Sequence, residues 1–223
     1  KRDSDGYAGI TLGIIGLGRI GSRVSELFAP WRMRIIACDP YVPDEKFIRF
    51  GVERVDLETL LRQSDVVSIH CVNNKETRHM MNAAKFALMK PSALFVNTSR
   101  GANMVENDLA DALLKKKIAA AAIDAFEDEP LPADSMLRKV GDRIMMSAHM
   151  VSSNHGSGIG PGYRWATQSV LAALQGEVPD NVFNPEVIER WKERFGGRKI
   201  LALNEPLDRS HSYGVPKIYG GPQ

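Results

Sequence analysis

Three charged side chains stand where apolar runs of this 223-residue chain give out. Arg100 closes "ALFVNTSRG", Glu129 follows "AAAAIDAFEDEP", and His149 closes "RIMMSAH". A guanidinium grips a carboxylate through paired hydrogen bonds and stays charged at any working pH. An imidazole titrates near neutrality, and an adjacent carboxylate favours its protonated form, which suits such a pair to giving and retaking a proton. Each residue alone is ordinary: an arginine after a strand is usually a surface ion-pair partner, a Glu before Pro a loop carboxylate, a lone His structural. They gain chemistry together only if the fold brings three strand ends to one cleft.

The elements that would do so are legible. Apolar bursts suited to buried strands occur at "TLGIIG", "MRIIACD", "DVVSIHC", "ALFVNTS", "AAAAIDAF" and "RIMMSAH". Helical patterns lie between them over Arg19–Phe28, Asp56–Arg62, Ala83–Met89 and Asn107–Lys117, with Ser64-Asp65, Lys90-Pro91 and Gly101 at joins. Strict alternation predicts an α/β fold, a doubly wound parallel sheet of the Rossmann type with right-handed crossovers. In such a sheet ligands gather at the carboxyl ends of the strands.

"IIGLGRIG" supplies the next signal. Gly16-Leu17-Gly18-Arg19-Ile20-Gly21 follows a strand and opens a helix, the context a dinucleotide fingerprint requires. Gly16 permits the tight turn, Gly18 lets backbone N–H groups approach a pyrophosphate, and Gly21 lets helix pack close on strand. The helix N-terminus then faces the anion with unpaired N–H groups. Asp39, 18 residues after Gly21, ends the next strand. A carboxylate there accepts hydrogen bonds from both ribose hydroxyls and repels a 2′-phosphate, so NAD is expected over NADP. The plainer reading of Asp39 is a turn cap before Pro40.

Bulk properties exclude other classes. Apolar residues make up 43% and charged residues 25%, as in a globular protein. With 29 basic against 27 acidic residues the net charge is +2, no footprint for nucleic acid or an anionic membrane. Lys115-Lys116-Lys117 is read as a solvated helix end. No apolar run is long enough to span a bilayer. Cys38 and Cys71 lack C-x-x-C spacing, so neither a zinc site nor a disulfide framework is expected, and a reducing cytoplasm is the simplest home.

At this point a resemblance enters. "GIIGLGRIG", "NTSRGANMVENDLADALLKKKIAAAAIDAFEDEPLP", the following "SAH" and "NVFNPEV" resemble the D-isomer-specific 2-hydroxyacid dehydrogenases, near the phosphoglycerate dehydrogenases and hydroxypyruvate reductases, from about Gly9 to Val187. The resemblance implies that Arg100 holds the substrate carboxylate and polarises its keto oxygen. His149 is then the general acid/base and Glu129 its carboxylate partner. Arg19 and Ile20 would sit at the pyrophosphate and Asp39 at the ribose. Thr98, Ser99 and Asp124 would lie near the nicotinamide half, with Cys71 offering backbone contact and Thr77 lining the cleft. The substrate is expected to be a small 2-keto or 2-hydroxy acid, and a homodimer is implied. His70, His79, His155 and His211 match no catalytic position, although His79 sits in a loop that borders the site.

Departures from the family pattern are Val72 where a proline is common after "HC", "VNNKETR" in place of a loop with two prolines, and "MVSSN" after His149. Formate dehydrogenases, whose histidine pairs with glutamine, are disfavoured by Glu129. An NAD(H)-sensing module of the corepressor type keeps the same trio and stays open. The expected organisation is a cofactor domain over residues 1–155, a helix and connector over 156–195, and an irregular tail over 196–223. Because family members place part of their substrate domain before the cofactor domain, a chain beginning "KRDSDGYAG" is expected to be a fragment, weakly active or inactive alone.

Overall fold

The computed structural model describes residues 7–150, 160–180, 182 and 184–198. The chain divides into two compact units, Lys1–Val151 and Ser152–Gln223.

The first unit is built on seven strands: β1 (Thr11–Ile15), β2 (Arg34–Cys38), β3 (Glu53–Arg54), β4 (Val66–Ile69), β5 (Leu94–Asn97), β6 (Ala120–Ile123) and β7 (Ile144–Met146). They form one sheet in the order β3-β2-β1-β4-β5-β6-β7, and every neighbouring pair is parallel. Helices α1 (Arg19–Phe28), α2 (Asp44–Arg49), α3 (Leu57–Gln63), α4 (Ala83–Phe86) and α5 (Glu106–Leu114) lie between strands. The chain starts mid-sheet at β1, runs to one edge, then returns past β1 to the other. The reversal falls at β1 and β4, where a doubly wound sheet opens its ligand crevice.

Burial on both faces explains why the strands read as apolar bursts rather than alternations. On β1, Leu12 and Ile14 pack with Ile35, Ala37, Phe47 and Val52, whereas Ile15 joins Ile36, Leu60, Val67, Ile69 and Phe95. Period-two side-chain direction assigns these clusters to opposite faces. Phe86 meets Phe95 edge to face, ring centroids 5.1 Å apart. Full burial of each such side chain contributes roughly 1.5–3 kcal/mol. Asp56 caps α3, accepting from the Thr59 N–H at 2.9 Å and its hydroxyl at 2.6 Å, a contact of about 1 kcal/mol.

The six expected strands are present, and four elements differ from the sequence reading. β3 and α2 carry no strong signal: β3 is two exposed residues that pair with Ile36 and Ala37, with Glu53 also accepting from the Arg34 guanidinium. Helix α4 stops at Phe86 rather than Met89. Helix α5 ends at Leu114, not Lys117, because Lys116 turns left-handed at φ 55°. Lys117 N–H then bonds Ala112 O at 2.8 Å and Lys116 N–H bonds Leu113 O at 3.1 Å. That closure is normally announced by glycine, and here a lysine adopts it.

The second unit contains α6 (Gly160–Leu174) and α7 (Ile188–Phe195). Helix α6 opens at Gly160 with Pro161 in its first turn, a position where a missing N–H leaves nothing unpaired. The serine- and glycine-rich stretch through residue 159 and the tail from residue 199 lie outside the described residues, as do His155 and His211. Among the described residues, no helix is long and apolar enough to cross a membrane.

Candidate active site

The parallel ladder aligns strand ends. Gly16 N–H bonds Cys38 O at 2.9 Å, His70 N–H bonds Ile15 O at 2.8 Å, Asp124 N–H bonds Asn97 O at 3.0 Å, and Ser147 N–H bonds Ile123 O at 3.0 Å. The glycine loop, Asp39, Cys71, Thr98 to Arg100, Asp124 and His149 therefore all issue from one carboxyl edge.

At the adenosine end, the glycine loop fits a dinucleotide. Gly16 has φ 93°, and a Cβ on it would lie 2.8 Å from Cys71 N. A Cβ on Gly21 would lie 2.1 Å from Gly16 O, so helix and loop touch through it. A Cβ on Gly18 would meet nothing within 4 Å, so this part of the loop faces open space. The α1 N-terminus has no side-chain cap and no acid in its first turn, which leaves its partial positive charge available to an anion. Asp39 fulfils the turn-cap reading: its carboxylate accepts from Leu17 N–H at 2.9 Å and Tyr41 N–H at 3.0 Å. Each carboxylate oxygen retains a further lone pair for a ribose hydroxyl. The Tyr41 hydroxyl donates to Glu76, linking the loops after β2 and β4. Burial pushes the Cys71 thiol up to about 11, which disfavours its thiolate, and its carbonyl accepts from Asn103.

Arg100 sits on a turn built by two buried amides that sequence reasoning missed. Asn97 accepts from Ser99 N–H at 3.0 Å and its hydroxyl at 2.8 Å, while donating to Arg100 O at 3.0 Å. Asn103 donates to Ser99 Oγ at 3.0 Å and Cys71 O at 3.2 Å. Both amides are fully buried, and buried amides without partners would be costly. No spacing rule marks such residues; only their position within "NTSRGAN" could have drawn notice. The exposed Arg100 guanidinium donates to Ser99 O at 2.7 Å.

The expected histidine–carboxylate contact is formed. His149 Nδ1 lies 2.9 Å from both Glu129 oxygens, which leaves Nε2 as the nitrogen able to exchange a proton with a substrate. Phe126 N–H donates to Glu129 Oε1 at 2.9 Å. That bond, then the His149 hydrogen bond and the Arg100 charge, hold the Glu129 carboxyl below its ordinary value. The sign follows: the pairing is present above the ordinary carboxylate range and is lost as pH falls through Glu129's depressed value. His149 itself is left-handed, φ 55°, a conformation seldom adopted outside glycine. Asp124, 5% exposed, holds that segment from both sides, accepting from Ser147 Oγ at 2.6 Å and Met150 N–H at 3.0 Å. A cavity of about 650 Å³ adjoins the pair, lined by Phe126, Leu131, Arg138 and Met146 among others.

Of the remaining candidates, Thr98 is exposed. Thr77 closes its own loop, donating to Val72 O at 2.7 Å and accepting from Asn74 N–H at 2.8 Å. His70 contacts Ser68 Oγ at 2.9 Å, and burial lowers its pKa, in keeping with a structural role. His79 is left-handed too, φ 52°, with Nε2 3.0 Å from Glu127 rather than Glu129.

A parallel seven-stranded sheet with a glycine turn at its point of reversal defines a dinucleotide-binding protein of the Rossmann class. Residues 1–151 match the family model "D-isomer specific 2-hydroxyacid dehydrogenase, NAD binding domain". The chain belongs to that family, and NAD is the cofactor of this domain. It is 40% identical over 181 residues to a glyoxylate reductase of Aeropyrum pernix, covering 81% of this chain and 53% of that protein. It is 39% identical over 196 residues to a D-3-phosphoglycerate dehydrogenase of Methanocaldococcus jannaschii, covering 87% and 36%. The solved D-lactate dehydrogenase of Aquifex aeolicus, complexed with NAD and lactic acid, superposes with a TM-score of 0.61 at 30% identity, over 66% of this chain and 48% of that one. The chain thus spans about half or less of the length of these relatives.

Proposed function

We propose that this chain carries the cofactor site and the charged trio of an NAD-dependent dehydrogenase that interconverts a D-2-hydroxy acid and its 2-keto acid. The observation that carries the reading is the Glu129–His149 contact at 2.9 Å, at the same sheet edge as the glycine loop. NAD supplies the hydride chemistry at C2 of the substrate when bound. Backbone N–H groups of Gly18 to Gly21 take the pyrophosphate, and Asp39 takes the adenosine ribose. Arg100 binds the substrate carboxylate and offsets the charge that grows on the keto oxygen during reduction. His149 Nε2 gives its proton to that oxygen, and Glu129 stabilises the imidazolium and fixes the ring through Nδ1. Asp124 keeps the His149 segment in its left-handed turn.

The relatives' substrates define the panel: glyoxylate, hydroxypyruvate, phosphohydroxypyruvate and pyruvate. Calorimetric binding of NADH together with NADH oxidation on at least one of these supports the reading. Because the chain spans about half of its relatives' length, turnover is assayed with the chain extended to that length, and tight NADH binding with no turnover on any of them there would favour a nucleotide-sensing module instead. Absence of NADH binding by folded protein would remove both.

Replacing Asp39 with alanine is expected to weaken NADH binding by about tenfold or more, the loss of one or two hydrogen bonds to a charged acceptor. Because Asp39 also anchors Leu17 N–H, the melting temperature must be read alongside. Unchanged affinity in an intact fold would take the ribose from Asp39.

A further inference from the structure

Two His–carboxylate pairs sit side by side in this fold, and the function above uses only one. Glu129 meets His149; two residues earlier, Glu127 meets His79 at 3.0 Å and also accepts from Arg78. Glu127 N–H donates to Glu106 Oε1 at 2.8 Å at the start of α5. The loop after β4, the first turn of α5 and the turn carrying Glu129 are thereby joined at one residue.

The same peptide lies against Arg100's turn. A Cβ on Gly101 would lie 1.9 Å from the Phe126 carbonyl carbon and 2.2 Å from Glu127 N, so the two backbones touch. His79 N–H bonds Ala102 O at 2.8 Å, and Met81 N–H bonds Asn103 O at 3.1 Å, which ties the His79 loop to that turn as well. We propose that Glu127 is a positioning residue: held by Arg78 and His79, it fixes the Phe126–Glu129 turn against the Arg100 turn so that Glu129 meets His149 Nδ1.

The charges around Glu127 agree with a clamp. Burial alone would raise its carboxyl, yet the His79 hydrogen bond and the Arg78 charge hold it below its ordinary value. Glu106, whose carboxyl burial pushes up, faces the same peptide, with Glu127 and Asp128 adding repulsion. The side chains of Arg78, His79 and Glu127 are 53%, 39% and 31% exposed. A single exposed ion pair contributes little to global stability, so the clamp's effect is local geometry. It is read at the neighbouring pair.

The purpose of the clamp rests on the dehydrogenase reading, but its test does not need turnover. The titration of His149 is followed by NMR of its imidazole in the whole chain, in wild type, Arg78→Gln, Arg78→Lys, His79→Asn and Glu129→Gln. Removing the Arg78 charge acts on His149 in two opposite ways. Direct loss of a cation, where it is felt, raises the imidazole's midpoint, whereas loss of Glu129 as a partner lowers it. The expected result is a fall of about half a pH unit in Arg78→Gln, a fall in the same direction in His79→Asn, and recovery in Arg78→Lys. The fall in Glu129→Gln sets the full loss of the partner. A rise or no change in both clamp variants, with amide spectra still native, would overturn the proposal; so would a Glu129→Gln variant that leaves His149 unmoved. Failure of NADH binding would sink the dehydrogenase reading and leave this titration standing.

Discussion

Replacing His149 with glutamine is expected to slow NADH-dependent reduction of a 2-keto acid by about 10²- to 10⁴-fold, the usual contribution of a general acid. Glutamine preserves a polar side chain near Glu129 but has no proton to transfer. The substitution should leave NADH affinity close to wild type, because the glycine loop and Asp39 lie on β1 and β2, away from β7. The pH profiles carry the sharper signature. Reduction consumes the imidazolium whereas oxidation of the hydroxy acid needs the neutral ring, so the two directions should depend on pH in opposite senses. Both limbs should flatten in the variant. A variant that reduces at the wild-type rate would remove His149 from proton transfer. His79 is a poor substitute, since its Nε2 is engaged by Glu127.

Gly101→Ala is expected to destabilise the first unit by about 1–3 kcal/mol, the ordinary cost of forcing one extra carbon into a packed site. For a unit of this size, that is a fall of roughly 2–12 °C in melting temperature. The reason is the 1.9 Å approach of the added carbon to the Phe126 carbonyl carbon, backbone that cannot swing aside like a side chain. Relief requires separating the Arg100 turn from the Glu129 turn, so activity should fall further than stability alone accounts for. Gly18→Ala makes the contrast. Its added carbon meets no protein atom within 4 Å, so melting should hold while NADH affinity drops by about tenfold or more, a methyl group now standing where the phosphates approach. Equal melting temperatures for Gly101→Ala and wild type would show that the two turns are not in contact in solution.

These variants also separate what each kind of information contributed. The strand–helix alternation was legible because parallel strands buried on both faces are apolar in runs, as Leu12–Ile15 and Leu94–Val96 are. The glycine loop was legible because Gly16, Gly18 and Gly21 meet steric demands that hold for any dinucleotide turn. β3 and α2 were not, since a two-residue exposed strand exists only through its neighbour. The end of α5 was not, because its left-handed closing residue is a lysine.

Around the site the division is sharper. Arg100, Glu129 and His149 could be picked out as strand-end residues, and a family resemblance assigned them roles, but their separations in sequence say nothing of contact. The meeting of Glu129 with His149, the seating of Asp124 under the histidine's turn and the amide scaffold of Asn97 and Asn103 belong to tertiary structure. So does the pairing of His79 with Glu127, a residue two positions from the one sequence reasoning chose. Local sequence sets which backbone conformations and burial patterns are affordable over a few residues. Which side chains from separate strands come within 3 Å of one another depends on how parallel crossovers line up their ends, and that alignment is decided by the packed sheet as a whole.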